Sequence, residues 1–217
     1  MDEWSSHTIL TEKTYSLGIS ELTTRDSDLA EAVMRWGNPP FWTHSPGFQG
    51  LVLDILSQQV SLESADATFT KLGLRIDPIN PDKFLSLNEH ALREIGFSRQ
   101  KASSIRGVAN EIRTGGLNLD DLESMKDDQV RNRLVKVRGI GAWTADTYLL
   151  FALRRSDAWP SGDLALAKAI QKLRGLTSTP DWDEVDKIAE GWKPWRAVAV
   201  RILWYHYLNE RGRNTSA

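Results

Sequence analysis

Three groups of residues in this chain of 217 could do chemistry. The first is Gly139-Ile140-Gly141, set inside "LVKVRGIGAWTADTYLLFAL" (134–153) with Lys136 and Arg138 just ahead of it. Glycines allow backbone angles and a close approach that a Cβ forbids. The helix that follows would turn free N–H groups and its positive dipole end toward an anion such as a DNA phosphate, with Ile140 plugging the gap between the two helices. Such a contact fixes register on a duplex without reading its sequence. The plainer reading is a tight turn between helices with no ligand, and the turn alone leaves both open. The second is Asp163 in "PSGDLALAK", where a helical pattern over 163–173 begins. It is either an N-cap or a carboxylate placed to act on a ligand. The two are compatible, because a helix N-terminus favours the ionised form. The third is an excess of tryptophan, nine residues, including Trp143 beside the glycine turn and Trp192, Trp195 and Trp204 in "WKPWRAVAVRILWY".

The elements that must hold these residues read as helices. "SDLAEAVMRWG" opens on a capping Ser/Asp and stops at Gly37. Phe48, Leu51, Val52, Ile55 and Leu56 keep the spacing of one helix face within 48–59. "SLESADATFTKLG", "PDKFLSL", "NEHALREIG" and "SRQKASSIRGVANEIRTGG" follow with front caps and, in three of the four, a glycine stop; Phe97 acts as a staple between the last two. Further helices are expected over 141–154, 163–173 and 183–190, and a long one from Pro194, well suited to a first helical turn. Only the first 25 or so residues, "HTILTEKTYSLGISEL", read as extended. The fold class is all-α, with about ten helices in two lobes.

Composition bounds the rest. Hydrophobic residues make up 41% and charged ones 26%, the balance of a globular protein. No apolar run approaches the roughly 20 residues that cross a bilayer, so no membrane partner is expected. The start "MDEWSSHTILTEK" is acidic where a secretory leader would be basic. With no cysteine, a reducing, cytoplasmic location is expected, nucleoid-associated in a bacterium; thiolate-bound iron–sulfur clusters and structural zinc sites are excluded. The net charge of −2 does not favour a nucleic-acid partner, yet charge is uneven: "DDLESMKDD" is acidic, "VRNRLVKVRG" and "KPWRAVAVR" are basic. His7, His44, His90 and His206 show no metal-ligand spacing and read as structural or exposed.

"VKVRGIGAWTADTYLLFAL" followed by "WPSGDLALAKAI" resembles the helix-hairpin-helix, Gly/Pro-rich loop and aspartate of the HhH-GPD DNA glycosylase superfamily. "ILSQQVS" and "AEGWKPWRAVAVRILWY" resemble its 3-methyladenine DNA glycosylase II (AlkA-like) branch, and the likeness runs from about Pro46 to Tyr205. The resemblance implies a single glycosylase domain: a central helical lobe over about 46–130, and a second lobe from 1–45 and 131–217 carrying the hairpin (134–148) and the catalytic aspartate, with the active-site cleft between lobes. The separate N-terminal β-domain of some members would need more residues than precede Phe48. Asp163 stands at the catalytic position. Breaking an N-glycosidic bond leaves an oxocarbenium-like sugar that a carboxylate stabilises, and the same group can orient or deprotonate the attacking water. Members that also cut the backbone carry a lysine nucleophile where this chain has Trp143, so the resemblance implies a monofunctional, hydrolytic enzyme with no AP-lyase activity.

The implied substrate is double-stranded DNA with a damaged base, flipped into a pocket by a monomeric enzyme. Cationic alkylpurines are attracted to aromatic faces by about 0.5–2 kcal/mol each. Trp143 and Trp204 match pocket positions, with Phe41 and Trp42 as further candidates. Thr147 and Leu164 replace tyrosines of the best-known member, which implies a less aromatic or differently shaped pocket. Gln59 stands where that member has the leucine that fills the gap left by the flipped base; Gln58 and Gln59 either meet DNA in this way or pair within the protein. Arg196 either contacts phosphate or pairs with an acid, and Trp192 and Trp195 read as packing. No cofactor is required, but relatives imply a structural Na+ or K+ held by the carbonyls of Val135, Val137 and Ile140. Two alternatives remain: a glycosylase for a deaminated or oxidised base, and a non-catalytic helix-hairpin-helix DNA-binding module in which Asp163 only caps.

Overall fold

The computed structural model describes residues 8–212. Among them the secondary structure is helical, apart from one isolated antiparallel bridge between Ile9 and Arg155. In chain order the helices are α1 (Glu12–Arg25), α2 (Ser27–Trp36), α3 (Phe48–Leu56), α4 (Leu62–Arg75), α5 (Pro81–Ser86) and α6 (Glu89–Ile95). Then come α7 (Arg99–Arg113), α8 (Asp127–Leu134), α9 (Ala142–Thr147), α10 (Leu164–Leu173), α11 (Trp182–Glu190) and α12 (Arg196–Glu210). A short 3-10 turn, Asp120–Ser124, precedes α8, and a π-helical turn, Tyr148–Ala152, continues α9.

Within the described residues, 8–43 with 154–212 form one compact unit and 44–153 another. The hairpin, expected with residues 1–45, falls instead within the unit of 44–153, where the π turn, with Tyr148, Leu149 and Leu150 fully buried, packs against α3 as well as α8 and α9.

The first unit is built around α12. From Ala197 to Leu203 every side chain is buried, as expected of a helix surrounded by others. Leu22, Leu29, Leu166, Ala167 and Ile170 from α1, α2 and α10 belong to the same core. Three indoles frame it, and each donates its N–H to a carboxylate: Trp192 to Asp26 at 2.7 Å, Trp195 to Glu21 at 2.6 Å, Trp159 to Asp186 at 2.8 Å. A buried indole needs such an acceptor, and these pairs fix the rings' orientation. In the second unit α3 supplies the centre, with Leu51, Val52, Ile55 and Leu56 buried, and Phe97 packs on Phe84 at 5.7 Å between ring centroids.

Several sequence expectations are corrected. The stretch expected to be extended forms α1: Thr11 and Thr14 make a reciprocal capping box, and Tyr15, Gly18, Ile19 and Leu22 are buried at helical spacing. Gly73 does not stop α4, which runs two residues further to Arg75 with Leu72 fully buried. The helix expected over 141–154 changes to π geometry at Tyr148 and keeps it to Ala152, with Tyr148, Leu149 and Leu150 fully buried. Pro194 precedes α12 rather than opening it; Trp195 is the N-cap, held by its bond to Glu21.

Gly18 tests the packing of α1 against α12. A Cβ there would lie 2.9 Å from Val198 Cγ2 and 3.0 Å from the Trp195 ring. Alanine favours a helix interior over glycine by about 1 kcal/mol, but overpacking a buried ring costs about 1–3 kcal/mol. Gly18→Ala is expected to lower stability in urea unfolding; a more stable variant contradicts this packing.

Candidate active site

In the first unit the geometry converges on Asp163. It is the N-cap of α10, with φ −77 and ψ 114, and its Oδ1 accepts from the Leu166 backbone N–H at 3.0 Å. The same oxygen accepts from Trp204 Nε1 at 3.2 Å. The cap therefore sets the carboxylate's position at the helix end, and an indole of α12 fixes its rotation. Both side chains are partly buried, so the group stays within reach of solvent. Leu164, next to it in the first turn, is 54% exposed.

One residue beyond Trp204, Tyr205 meets Trp42 edge to face at 6.0 Å. Phe41 stacks on Tyr15 at 4.7 Å. Trp42, Trp204 and Tyr205 thus stand on or against the same helix as the indole that touches Asp163. Tyr205 is absent from the sequence-based candidates, although adjacency to Trp204 was the signal that could have found it. Of the two readings of Arg196, the structure shows the pairing with an acid: both its Nε and Nη2 donate to Asp157, at 2.9 and 2.7 Å, with Glu190 at 3.5 Å.

In the second unit α8, the glycine turn and α9 form the hairpin. Gly139 adopts φ +98, and a Cβ there would sit 2.3 Å from Ser104 Cβ on α7, so conformation and close packing both demand glycine. Ile140 is buried as a plug, and its N–H closes the turn on the Val137 carbonyl at 3.1 Å. Gly141 differs. Its φ is −89, open to any residue, and an added Cβ would meet nothing within 4 Å. Nothing inside the unit explains a bare position at the N-cap of α9. Lys136 and Arg138 are exposed beside it.

Gln58 and Gln59 separate. Gln58 faces inward, with Nε2 donating to Thr144 Oγ1 at 2.8 Å and to the Gly139 carbonyl at 3.5 Å. It ties the end of α3 to the hairpin, which is the pairing within the protein that the sequence left open. Gln59 is exposed at φ 57, in the left-handed region, just past the end of α3. Trp143 is partly buried on α9, whereas Thr147 is fully inside and donates to the Thr144 carbonyl at 3.0 Å. Beneath it lies a pair not marked by any spacing: His44 Nε2 is 3.2 Å from Asp54 Oδ1. Burial pushes the Asp54 carboxyl up, opposed by its contacts with His44 and Thr147. The Tyr148 hydroxyl, pushed up to about 12 chiefly by burial, accepts from the Gly47 N–H at 2.9 Å. These contacts pin the segment before α3 to the hairpin's second helix.

Of the histidines, His206 is buried and accepts from Trp36 Nε1 at 3.1 Å, and His90 is exposed beside Glu94; His7 lies outside the described residues. Among the described residues no group of three or more His, Cys, Asp or Glu side chains is arranged to hold a metal, and no helix is long and apolar enough to cross a membrane.

An all-helical fold with a glycine turn joining two helices, followed by a capping aspartate against an indole, defines a helix-hairpin-helix protein with an acidic candidate site. The chain belongs to the HhH-GPD superfamily of base excision DNA repair proteins, whose family model matches residues 52–194. It is 27% identical over 191 residues to the alkylbase DNA glycosidase-like protein mag2 of Schizosaccharomyces pombe, covering 86% of this chain and 89% of that one. It is 32% identical over 124 residues to the putative DNA-3-methyladenine glycosylase YfjP of Bacillus subtilis, covering 57% of this chain but only 43% of that protein. In fold it matches the S. pombe 3-methyladenine DNA glycosylase Mag1, solved with abasic DNA, at a TM-score of 0.80 and 24% identity over 89% of this chain and 96% of that one.

Gly141→Ser separates a turn that binds phosphate from one that only turns. Serine is at least as good an N-cap as glycine, so thermal stability is expected to hold. Affinity for undamaged duplex is expected to fall several-fold, together with the salt dependence of binding. Unchanged affinity would leave the bare position without a role.

Proposed function

We propose that this protein is a monofunctional DNA glycosylase that removes alkylated purines of the 3-methyladenine type from double-stranded DNA by flipping the base and hydrolysing its N-glycosidic bond. The observation that carries this reading is the double hold on Asp163 Oδ1 by the Leu166 N–H and the Trp204 indole. The names of the relatives, glycosidases and glycosylases of alkylated bases, support it.

In the proposed reaction the C1′–N bond breaks and its electron pair leaves with the base. Positive charge develops on the deoxyribose, which the ionised Asp163 stabilises; water adds at C1′ and gives its proton to the Asp163 carboxylate, and an abasic site remains. The aromatic faces of Trp204, Trp42 and Tyr205 suit a purine carrying delocalised positive charge. Trp143, placed on the hairpin's second helix, has no amine for a Schiff base, which supports hydrolysis without strand cleavage. The bare Gly141, with Lys136 and Arg138, would take a backbone phosphate, and Gln59 would fill the gap left by the flipped nucleotide. The carbonyl oxygens of Val135, Val137 and Ile140 are hard donors of the kind a monovalent cation takes, and they would hold one at the turn. Bound there, such an ion would add positive charge beside the phosphate.

Asp163→Asn isolates the charge, since asparagine caps a helix as well as aspartate does. The variant is expected to fold and bind DNA like the wild type, yet to release 3-methyladenine at least about 100-fold more slowly, the scale of one electrostatic group. Wild-type release by this variant would leave Asp163 as a cap only. A parallel panel of deaminated and oxidised duplexes tests the other lesion classes, which the exposed Leu164 and inward Thr147 make worth comparing.

A further inference from the structure

The core of the first unit contains an arginine that the chemistry above does not use. Arg201 lies midway along α12 and is completely buried. Burial lowers its pKa to about 10, which leaves it cationic at neutral pH. A charged side chain in a core is costly unless its donors are matched, so its contacts say what it is for. Nη1 donates to the Ala197 carbonyl of its own helix at 2.8 Å. Nη2 and Nε both donate to the Trp42 carbonyl, at 2.9 and 3.3 Å. The guanidinium carbon also lies 5.4 Å from the ring centre of Phe41 and 5.8 Å from that of Tyr15.

The segment so gripped, 37–43, has neither helix nor strand, and Pro39 and Pro40 remove two of its backbone donors. It is also tied by the Tyr15 hydroxyl donating to the Pro39 and Pro40 carbonyls at 3.1 and 3.4 Å, by the Gly37 N–H donating to the Val33 carbonyl at 2.8 Å, and by the Trp42 N–H donating to the Pro40 carbonyl at 2.9 Å. Arg201 fixes the peptide just after Trp42. One turn further along α12, Trp204 touches Asp163 and Tyr205 packs on Trp42. One helix thus orients the carboxylate through Trp204 and holds the aromatic segment through Arg201 and Tyr205.

We propose that Arg201 is a positioning residue for recognition of the flipped base, acting through the Trp42 carbonyl to hold Phe41 and Trp42 against it. The inference rests on the glycosylase reading above. It predicts a binding effect and not a chemical one, because Arg201 is not assigned to the reacting atoms.

Single-turnover release from a duplex containing 7-methylguanine tests it. Arg201→Met, of similar length but without donors, loses both bonds to the Trp42 carbonyl and should raise the half-saturating enzyme concentration at least about tenfold, since even one hydrogen bond from a charged group is worth that much. The maximal rate should change little, and Arg201→Lys, which keeps the charge and part of the bonding, should fall between the two. Affinity for a duplex with an abasic-site analogue, which offers no base, should be unchanged. Adding Arg201→Met to Trp42→Ala should cost little more than Trp42→Ala alone. Wild-type half-saturation in Arg201→Met, equal weakening on the abasic duplex, or full additivity with Trp42→Ala would overturn the proposal. Should Arg201→Met fail to fold, Arg201→Lys decides: a raised half-saturation supports the inference and a wild-type value overturns it. If the wild-type protein releases no base from any damaged duplex, it is the glycosylase reading that has failed.

Discussion

The candidate chemistry depends on the hydrogen bond from Trp204 Nε1 to Asp163 Oδ1, at 3.2 Å. An N-cap carboxylate is held at one oxygen by its own helix, but rotation about its side-chain bonds remains. The indole removes that freedom, since the same oxygen now serves a donor from α12 as well. An oriented carboxylate at a helix N-terminus is what stabilisation of a developing cation requires, because no reorganisation is then needed when charge appears.

The surroundings repeat the device. Trp192, Trp195 and Trp159 each give their N–H to a carboxylate, so the rings that frame α12 are oriented as well as packed. The helix they surround can then be buried from Ala197 to Leu203 and still carry one cation there, Arg201, whose donors reach carbonyls. The second unit solves a different problem. There Gly139 lets α7 come against the hairpin, Gln58 ties α3 to the same turn, and Gly141 leaves the N-cap of α9 without a side chain.

How far this was legible in the sequence varied with the range of the interaction. Asp163 announced itself as a cap through local pattern, and Gly139-Ile140-Gly141 through the lack of room for a loop; both are near-neighbour effects. The all-helical class followed from caps and 3–4 spacing. α1 was misread because its serines, threonines and Gly18 are weak helix formers, and burial against α12 decides its state. The inward turn of Gln58, the pairing of Arg196 with Asp157, and the hold of Arg201 on the Trp42 carbonyl join residues far apart in the chain. No periodicity encodes them. The extent of each unit was hidden for the same reason: the π turn at Tyr148 binds the hairpin to α3 through packing.

The coupling between the carboxylate and the indole is best tested by a double-mutant cycle on the rate of base release. Trp204→Phe keeps an aromatic face and removes the donor, so if the indole acts by orienting Asp163, it should slow release in the wild-type background. In an Asp163→Asn background, where the charge to be oriented is gone, it should cost little more. Equal effects of Trp204→Phe in both backgrounds would show that the indole and the carboxylate work independently, which contradicts the account.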